Sequence, residues 1–259
     1  GNLKWLRGLT VDYPNASNSI GMSSSPIVVD GVLVVQIEND SESFAAGINT
    51  ETGQNLWKLD RPKAANWTSP TAAMSDGQAV AILQSSKGIH AVNPHNGEEV
   101  WYFGGGASTI PSSTLGPDGT LYVPANGITA LKPGSATREV EELWVSGRLK
   151  PGSCSPLILG ERIFTMNGSG VLTCGNTANG DRLWQIRMTG KKFSATPLAS
   201  NGHIFAISEE GVLDVVDFQG EEGKVISTLE LGEVVLSTPA IASGGIFIRS
   251  DGRLWKIGG

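Results

Sequence analysis

Charged residues and cysteines are scarce in this 259-residue chain, and long apolar runs are missing. Charged residues make up 17%, and the net charge of −6 includes no basic stripe, so we expect no nucleic-acid partner. No stretch approaches the roughly eighteen apolar residues that a membrane-spanning helix needs. Two cysteines, Cys154 and Cys174, are too few to staple a small secreted domain. Helix-forming runs are also nearly absent, which disfavours the helical fold classes.

Glycine and proline are abundant. The chain has 34 glycines and 13 prolines, and 39% of its residues are hydrophobic, enough to form a core. This composition suits many short strands that tight turns connect. The sequence therefore predicts an all-β fold, and closed all-β folds of this length are commonly single domains.

One short phrase recurs along the chain: a turn glycine followed four residues later by tryptophan. It reads Gly-Glu-Glu-Val-Trp at residues 97–101, and a looser copy without the glycine ends at Trp144. The other copies end at Trp5, Trp57 and Trp184. A bulky aromatic at a fixed register is what a repeat needs if each copy buries a face against the next.

A second marker, a hydroxyl residue followed by proline, lies about thirty residues before these tryptophans. Its proline positions are 41 to 44 residues apart, and serine replaces proline in the third copy. The six copies are Ser25-Pro26, Ser69-Pro70, Ser112-Ser113, Ser155-Pro156, Thr196-Pro197 and Thr238-Pro239. Four short antiparallel strands in each period of 40 to 45 residues are typical of a β-propeller blade.

The repeat predicts a single propeller domain over residues 1–259, most simply with six blades. The first five blades are expected near 24–60, 68–104, 111–147, 154–188 and 195–231. Blade six would combine residues 237–259 with residues 1–9, since the chain stops before a sixth tryptophan and Trp5 supplies one at the other end. Such closure would remove two free sheet edges. The alternative is five and a half blades cut from a larger ring.

The phrases at residues 46–57 and 91–101 resemble the tryptophan-docking repeat of quinoprotein-type propellers. That superfamily includes PQQ-dependent alcohol dehydrogenases and non-catalytic relatives such as the outer-membrane assembly lipoprotein. The resemblance implies that the tryptophan of one blade stacks on the neighbouring blade. It also implies a location in the periplasm or elsewhere outside the cytoplasm. The expected docking residues are Trp5, Trp57, Trp101, Trp144 and Trp184.

Resemblance to the catalytic branch would imply eight blades, adjacent cysteines near the cofactor, calcium ligands and an aspartate base. Here Cys154 and Cys174 are twenty residues apart, so we expect neither PQQ nor calcium, and a non-catalytic protein is favoured. The alternatives are a fragment of a PQQ-dependent dehydrogenase-like enzyme and a sensor domain of a longer polypeptide.

Other polar residues do not form a recognisable catalytic or metal site. His90, His95 and His203 are scattered in the sequence, so satisfied or solvated histidines are favoured over a metal cluster. The acidic stretch with Glu38 and Glu42 lacks the spacing and glycine of an EF-hand and is interpreted as a solvated turn. No catalytic or metal-binding residue is therefore assigned.

The loops that lead from the last strand of one blade into the first strand of the next are the best candidates for binding. In a propeller these interblade loops gather at one end of the central channel, and concave surfaces are the usual location of ligands. Their cations, amides and aromatics suit an acidic peptide, a glycan or a loop of a partner protein. The candidate contact residues are Trp67, Phe193, Asn66, Lys150, Lys192, Arg148, Tyr13 and Met22.

Overall fold

The computed structural model describes residues 1–16 and 21–258 and is almost entirely β-structure. It contains 23 strands and one short helix, α1 (Leu9–Asp12). The described part of the chain has no helix long and apolar enough to cross a membrane. The chain divides into two compact units, Gly1–Ala125 with Ala130–Leu143, and Asn126–Thr129 with Trp144–Gly259.

Five consecutive sheets of four strands and a last sheet of three follow one another along the chain, each an antiparallel meander. The first two are β1 (Ile27–Val29), β2 (Val32–Ile37), β3 (Phe44–Asn49) and β4 (Asn55–Asp60), then β5 (Thr71–Ser75), β6 (Gln78–Ser85), β7 (Gly88–Val92) and β8 (Glu99–Phe103). The third is β9 (Thr114–Leu115), β10 (Leu121–Val123), β11 (Ile128–Lys132) and β12 (Glu141–Ser146). The fourth is β13 (Leu157–Leu159), β14 (Arg162–Met166), β15 (Val171–Asn176) and β16 (Arg182–Arg187). The fifth is β17 (Leu198–Ser200), β18 (His203–Ile207), β19 (Val212–Asp217) and β20 (Lys224–Glu230), and the last is β21 (Ala240–Ala242), β22 (Gly245–Arg249) and β23 (Leu254–Ile257).

The first hairpin of a blade turns on two residues with positive φ. Asp30-Gly31 and Asp76-Gly77 make this turn in the first two blades, with φ between 46° and 80°. Asn201-Gly202 and Ser243-Gly244 make it in the last two. Two central residues with positive φ match the twist of the flanking strands, so these short hairpins can form without splaying.

The hydroxyl residues of the second marker connect neighbouring blades. The amide of Ser25 donates to Oγ of Ser69 at 2.9 Å, and the amide of Ser69 donates to Oγ of Ser112 at 3.0 Å. In the second unit the Ser155 amide donates to Thr196 Oγ1, and the Thr196 amide to Thr238 Oγ1, both at 3.1 Å. The marker therefore needs a hydroxyl because that group accepts the amide of the preceding blade.

Four of the five tryptophans of the phrase lie on the turn between the third and fourth strands of the blade that follows. The indole nitrogen of Trp57 donates to the Pro94 carbonyl at 2.7 Å, and a Cβ added at Gly97 would lie 2.8 Å from its ring. The same contacts join Trp5 to Thr50 and Gly53, and Trp144 to Thr177 and Gly180, with indole bonds of 2.8 and 2.9 Å. Trp184 packs on Gly223. Both the glycine and the tryptophan of the phrase thus contact other blades.

The sheets confirm the predicted all-β propeller class, and the strands of each sheet fall inside the range expected for one blade. The closure of blade six stays a prediction. Residues 1–8 have no assigned strand, residues 9–12 form α1, and the last sheet has three strands within the described residues. The assignment of residues 1–259 to a single domain is likewise a prediction.

Candidate functional site

In the first unit, three interblade loops meet at Trp67. The main-chain amide of Trp67 donates to the carbonyl of Thr109 at 2.8 Å, and its indole nitrogen donates to the carbonyl of Gly21 at 2.9 Å. Those carbonyls belong to the loops around residues 104–111 and 12–23, of which residues 17–20 lie outside the described part. Trp67 is therefore held between the loops before and after its own.

The residues next to these two carbonyls are apolar and exposed. Met22, after Gly21, is 39% exposed, and Ile110, after Thr109, is 49% exposed. Trp67 itself is half-buried. We call Met22, Trp67 and Ile110 the Trp67 patch. Exposed apolar groups that hydrogen-bonded backbone fixes in place are typical of surfaces that bind a partner.

A buried polar network lies behind the loop that carries Trp67. Arg61 Nε donates to Glu38 Oε1 at 2.7 Å, and Asn66 Nδ2 donates to Glu38 Oε2 at 2.8 Å and to the Gln84 carbonyl at 2.7 Å. Burial raises the pKa of Glu38, while Arg61 and Asn66 act to lower it. The prediction of a solvated acidic turn is wrong for Glu38, which is 1% exposed, because its carboxylate has partners inside the protein.

Asn66 is a support for the loop. Its Oδ1 accepts the amide and the hydroxyl of Thr68 at 3.1 and 2.8 Å, so all parts of the side-chain amide are used internally. With 4% exposure, Asn66 cannot reach a partner on the surface, contrary to the contact role predicted for it. It fixes the backbone on both sides of Trp67 instead.

Tyr13 also packs inward. Its ring lies 4.5 Å from the ring of Phe44, and Lys58 Nζ lies 4.7 Å above it. The Tyr13 hydroxyl accepts a hydrogen bond from Asn55 Nδ2 at 2.9 Å. These contacts hold the first loop against β3 and β4 and leave Tyr13 half-buried.

In the second unit, Glu209 connects two interblade loops. The Glu209 amide donates to the carbonyl of Lys192 at 2.7 Å, and its carbonyl accepts the amide of Val235 at 3.1 Å. Its carboxylate pairs with Lys192 Nζ at 2.8 Å and accepts a hydrogen bond from Ser194. The Lys192 ammonium and the Ser194 hydroxyl lower the pKa of Glu209. Lys192 is thus exposed but already paired, and Glu209 raises its pKa.

Phe193, one of the predicted contact residues, belongs to the core. It is 1% exposed and packs with a cluster that includes Cys154 and Met166. A surface contact role does not fit this burial. The buried ring of Phe193, between the polar residues Lys192 and Ser194, anchors the loop.

Arg148 and Lys150 remain exposed, as a contact role requires. They flank Leu149, which is fully buried. The buried Leu149 side chain holds this part of the loop, and the two cations on either side of it face the solvent. Sequence reasoning missed two exposed apolar residues of the loop around 232–236, Val234 at 45% and Leu236 at 57%. The run of three apolar residues at 234–236 within an interblade loop was the signal that could have revealed them.

Groups capable of nucleophilic or metal chemistry are scattered. Burial raises the pKa of Cys154 to about 12 and that of Cys174 to about 11, and both thiols are free. They do not form the adjacent pair of the catalytic branch. His90 contacts Glu99 at 2.7 Å and His95 contacts Asp30 at 2.9 Å. In the described residues, no three His, Cys, Asp or Glu side chains could hold a metal ion together.

Comparisons with known proteins point to one family. The family described as outer membrane protein assembly factor BamB matches residues 9–103, 128–225 and 170–258, well over half of the chain. A search of curated proteins gave no match.

Two solved structures show the same fold. The crystal structure of BamB from Moraxella catarrhalis has a TM-score of 0.63 at 15% identity and covers 87% of this chain. This chain spans 66% of that protein, slightly under two thirds. A chain of the crystal structure titled mitotic checkpoint complex has a TM-score of 0.63 at 12% identity. The match covers 90% of this chain and 77% of that one. At such identities the likeness concerns the fold alone.

Proposed function

This chain belongs to the family of the outer membrane protein assembly factor BamB, and from that membership we propose that it is a non-catalytic propeller that binds a protein partner through its interblade loops. The single observation that carries the proposal is the convergence of three loops on Trp67, with Met22 and Ile110 exposed on either side. Membership of this family also supports a location outside the cytoplasm.

The Trp67 patch suits a protein surface better than a small molecule. Its apolar residues are partly exposed and lie on a supported surface, whereas small-molecule sites bury most of the ligand in a cavity. Tryptophan is among the residues that most often dominate the binding energy of protein interfaces. The buried pair of Glu38 and Arg61 preorganises the loop, so less conformational freedom is lost on binding.

The exposed cations of the second unit favour a ligand with acidic groups at their own loop. Arg148 and Lys150 are exposed on one loop and are predicted contacts. Charges at the rim of an interface mainly steer association and make it depend on salt. We therefore propose that the loop of Arg148 and Lys150 favours acidic groups, independently of the apolar contact proposed for the Trp67 patch. The proposed protein uses neither PQQ nor calcium.

Site-specific photocrosslinking tests this proposal. p-Benzoylphenylalanine replaces Met22 or Ile110, and the control position is Asn96, in the turn between β7 and β8 at the other end of blade two. Irradiation in the cell-envelope fraction should link the two loop positions to one discrete protein, and a Trp67→Ala change should abolish that product. Equal crosslinking from Asn96, or no product from either loop position, contradicts the proposal.

A further inference from the structure

The outer edge of β8 is poorly protected against strand pairing. β8 is the last strand of blade two, and within the described residues it pairs with β7 alone. Its sequence is Glu-Val-Trp-Tyr-Phe, with one charge at the first position. The fourth strands β4, β12, β16 and β20 carry two charged residues each. Proteins commonly protect edge strands with charge, and an apolar edge is where another chain can add.

A groove of about 500 Å³ runs along this edge. Val100, Trp101, Tyr102 and Phe103 all line it, and residues 135–140 form the opposite wall. Successive side chains of a strand point to opposite faces, so a groove that touches four in a row follows the edge of the strand. Its volume is within the range of natural ligand sites.

Trp101, which lines the groove, carries a buried hydrogen-bond donor without a partner among the described residues. Trp101 is 5% exposed, and its indole nitrogen has no hydrogen-bond partner among the described residues. Trp57, at the same position in blade one, donates to the Pro94 carbonyl of the following turn. Blade three has no glycine in its phrase, and irregular chain over residues 133–140 replaces that turn. A buried unpaired donor is unfavourable, and an acceptor from outside the chain would satisfy it.

We propose that this groove binds an extended, uncharged polypeptide segment, which adds to β8 as a fifth strand of blade two. The main chain of the segment would pair with the outer edge of β8, and one of its carbonyls would reach Trp101 after a small shift of the lining. An uncharged segment fits because Arg138 and Glu139, the charged residues of the wall, are of opposite sign. Five residues of edge match a segment of about 16 Å.

A single strand fits better than a second copy of this chain. The groove has a volume of about 500 Å³ and is bounded by residues 135–140, whereas a second copy would bring its whole blade with it. The site is separate from the interblade loops, because the Trp67 patch and β8 involve different residues. The inference therefore does not depend on the proposed function.

The first test measures binding of a dye-labelled, end-blocked Thr-Val-Thr-Val-Thr peptide by fluorescence anisotropy. Tyr102, which lines the groove and is 44% exposed, is changed to lysine, the residue that β4 carries at the equivalent position, Lys58. Tyr102→Lys should weaken binding at least tenfold. Val145→Lys, at the equivalent position of β12 and also 44% exposed, should leave it unchanged, as should Trp67→Ala.

The peptide itself provides the second test. Methylation of alternate backbone amides removes the donors that strand pairing needs, so the methylated peptide should not bind. In ¹⁵N-labelled protein, the indole resonance of Trp101 should shift downfield when the unmodified peptide binds. Equal binding of both peptides, no binding at millimolar concentration, or a dimer in sedimentation that Tyr102→Lys dissociates would each overturn the inference.

Discussion

Arg61 and Glu38 form an ion pair with side chains 4% and 1% exposed, beneath the loop that carries Trp67. Removing two charges from water is costly, and their attraction roughly offsets that cost when other hydrogen bonds complete the pair. Asn66 supplies such a bond to Glu38. The pair as a whole therefore adds little to the free energy of unfolding. Each buried charge is stable only beside the other, and this requirement fixes the loop in one conformation.

Changing Arg61 to methionine should lower the free energy of unfolding by about 3 to 5 kcal/mol at neutral pH, because Glu38 is left buried without a counter-charge. Burial already raises the pKa of Glu38, and loss of Arg61, which opposes that shift, raises it further. Stability tied to a raised pKa is lost as pH rises through that pKa. The deficit of Arg61→Met should therefore shrink as the pH falls towards the ordinary value of 4.5.

Urea unfolding between about pH 4.5 and 8 measures this deficit. Lys63→Met is the matched control, because Lys63 is an exposed cation of the same loop and should change stability little at any pH. A deficit for Arg61→Met that does not vary with pH would show that Glu38 does not take up the proton.

Residue type alone predicted which loop residues are exposed in some cases and failed in others. Met22, Arg148 and Lys150 are exposed, but Phe193 and Asn66 are buried. Sequence reasoning took an aromatic in a polar loop as a surface contact, whereas at Phe193 it is the apolar anchor. Glu209 was missed because it lies in the turn between the second and third strands, which a four-stranded meander places at the same end as the interblade loops.

At the scale of the element, the turn glycine of the phrase has two functions. Gly97 has a φ of 76°, a conformation that residues with a Cβ rarely adopt, and it also receives the ring of Trp57. The same pair of features occurs at Gly53 beneath Trp5 and at Gly180 beneath Trp144. The glycine of one blade thus forms the surface on which the tryptophan of the preceding blade lies.

The change Gly97→Ala should destabilise the protein by about 2 to 4 kcal/mol. Backbone strain contributes about 1 kcal/mol, and the rest comes from the added Cβ, which would lie 2.8 Å from the Trp57 ring. Gly77→Ala is the matched control, since Gly77 has a φ of 80° and no atom lies within 4 Å of the added Cβ. It should cost about 1 kcal/mol from strain alone. Equal losses in thermal unfolding would argue against the docking contact.

The positions of the strands followed from the sequence even where a marker was incomplete. The strands of blade three, which lacks the proline and the glycine, lie inside the expected range like those of the other blades. The phrase at Trp144 lacks its glycine, and the chain before it is irregular and forms one wall of the groove beside β8. The missing glycine of the phrase showed where the regular turn is lost. It did not show that a groove takes the place of the turn, because the shape of the groove depends on tertiary packing.

At the scale of the molecule, the repeat explains why six similar sheets follow one another. Each blade contributes a tryptophan or a hydroxyl to a neighbour, so its stability depends mainly on the blades beside it. The sequence predicted this architecture from spacing, because that signal recurs in every period. The closure of blade six could not be predicted as firmly, since it depends on one tryptophan, Trp5, which here lies on the turn of blade one.

Hydrogen exchange of the Trp57→Ala variant, read by mass spectrometry, tests most directly whether docked tryptophans couple one blade to the next. Trp57 is on β4, and its partners Pro94 and Gly97 are in the turn between β7 and β8. Exchange should become faster in β3 and β4 and also in β7 and β8, with wild-type rates in β14 to β16 of the second unit. Wild-type exchange in β7 and β8, with the change confined to blade one, would contradict it.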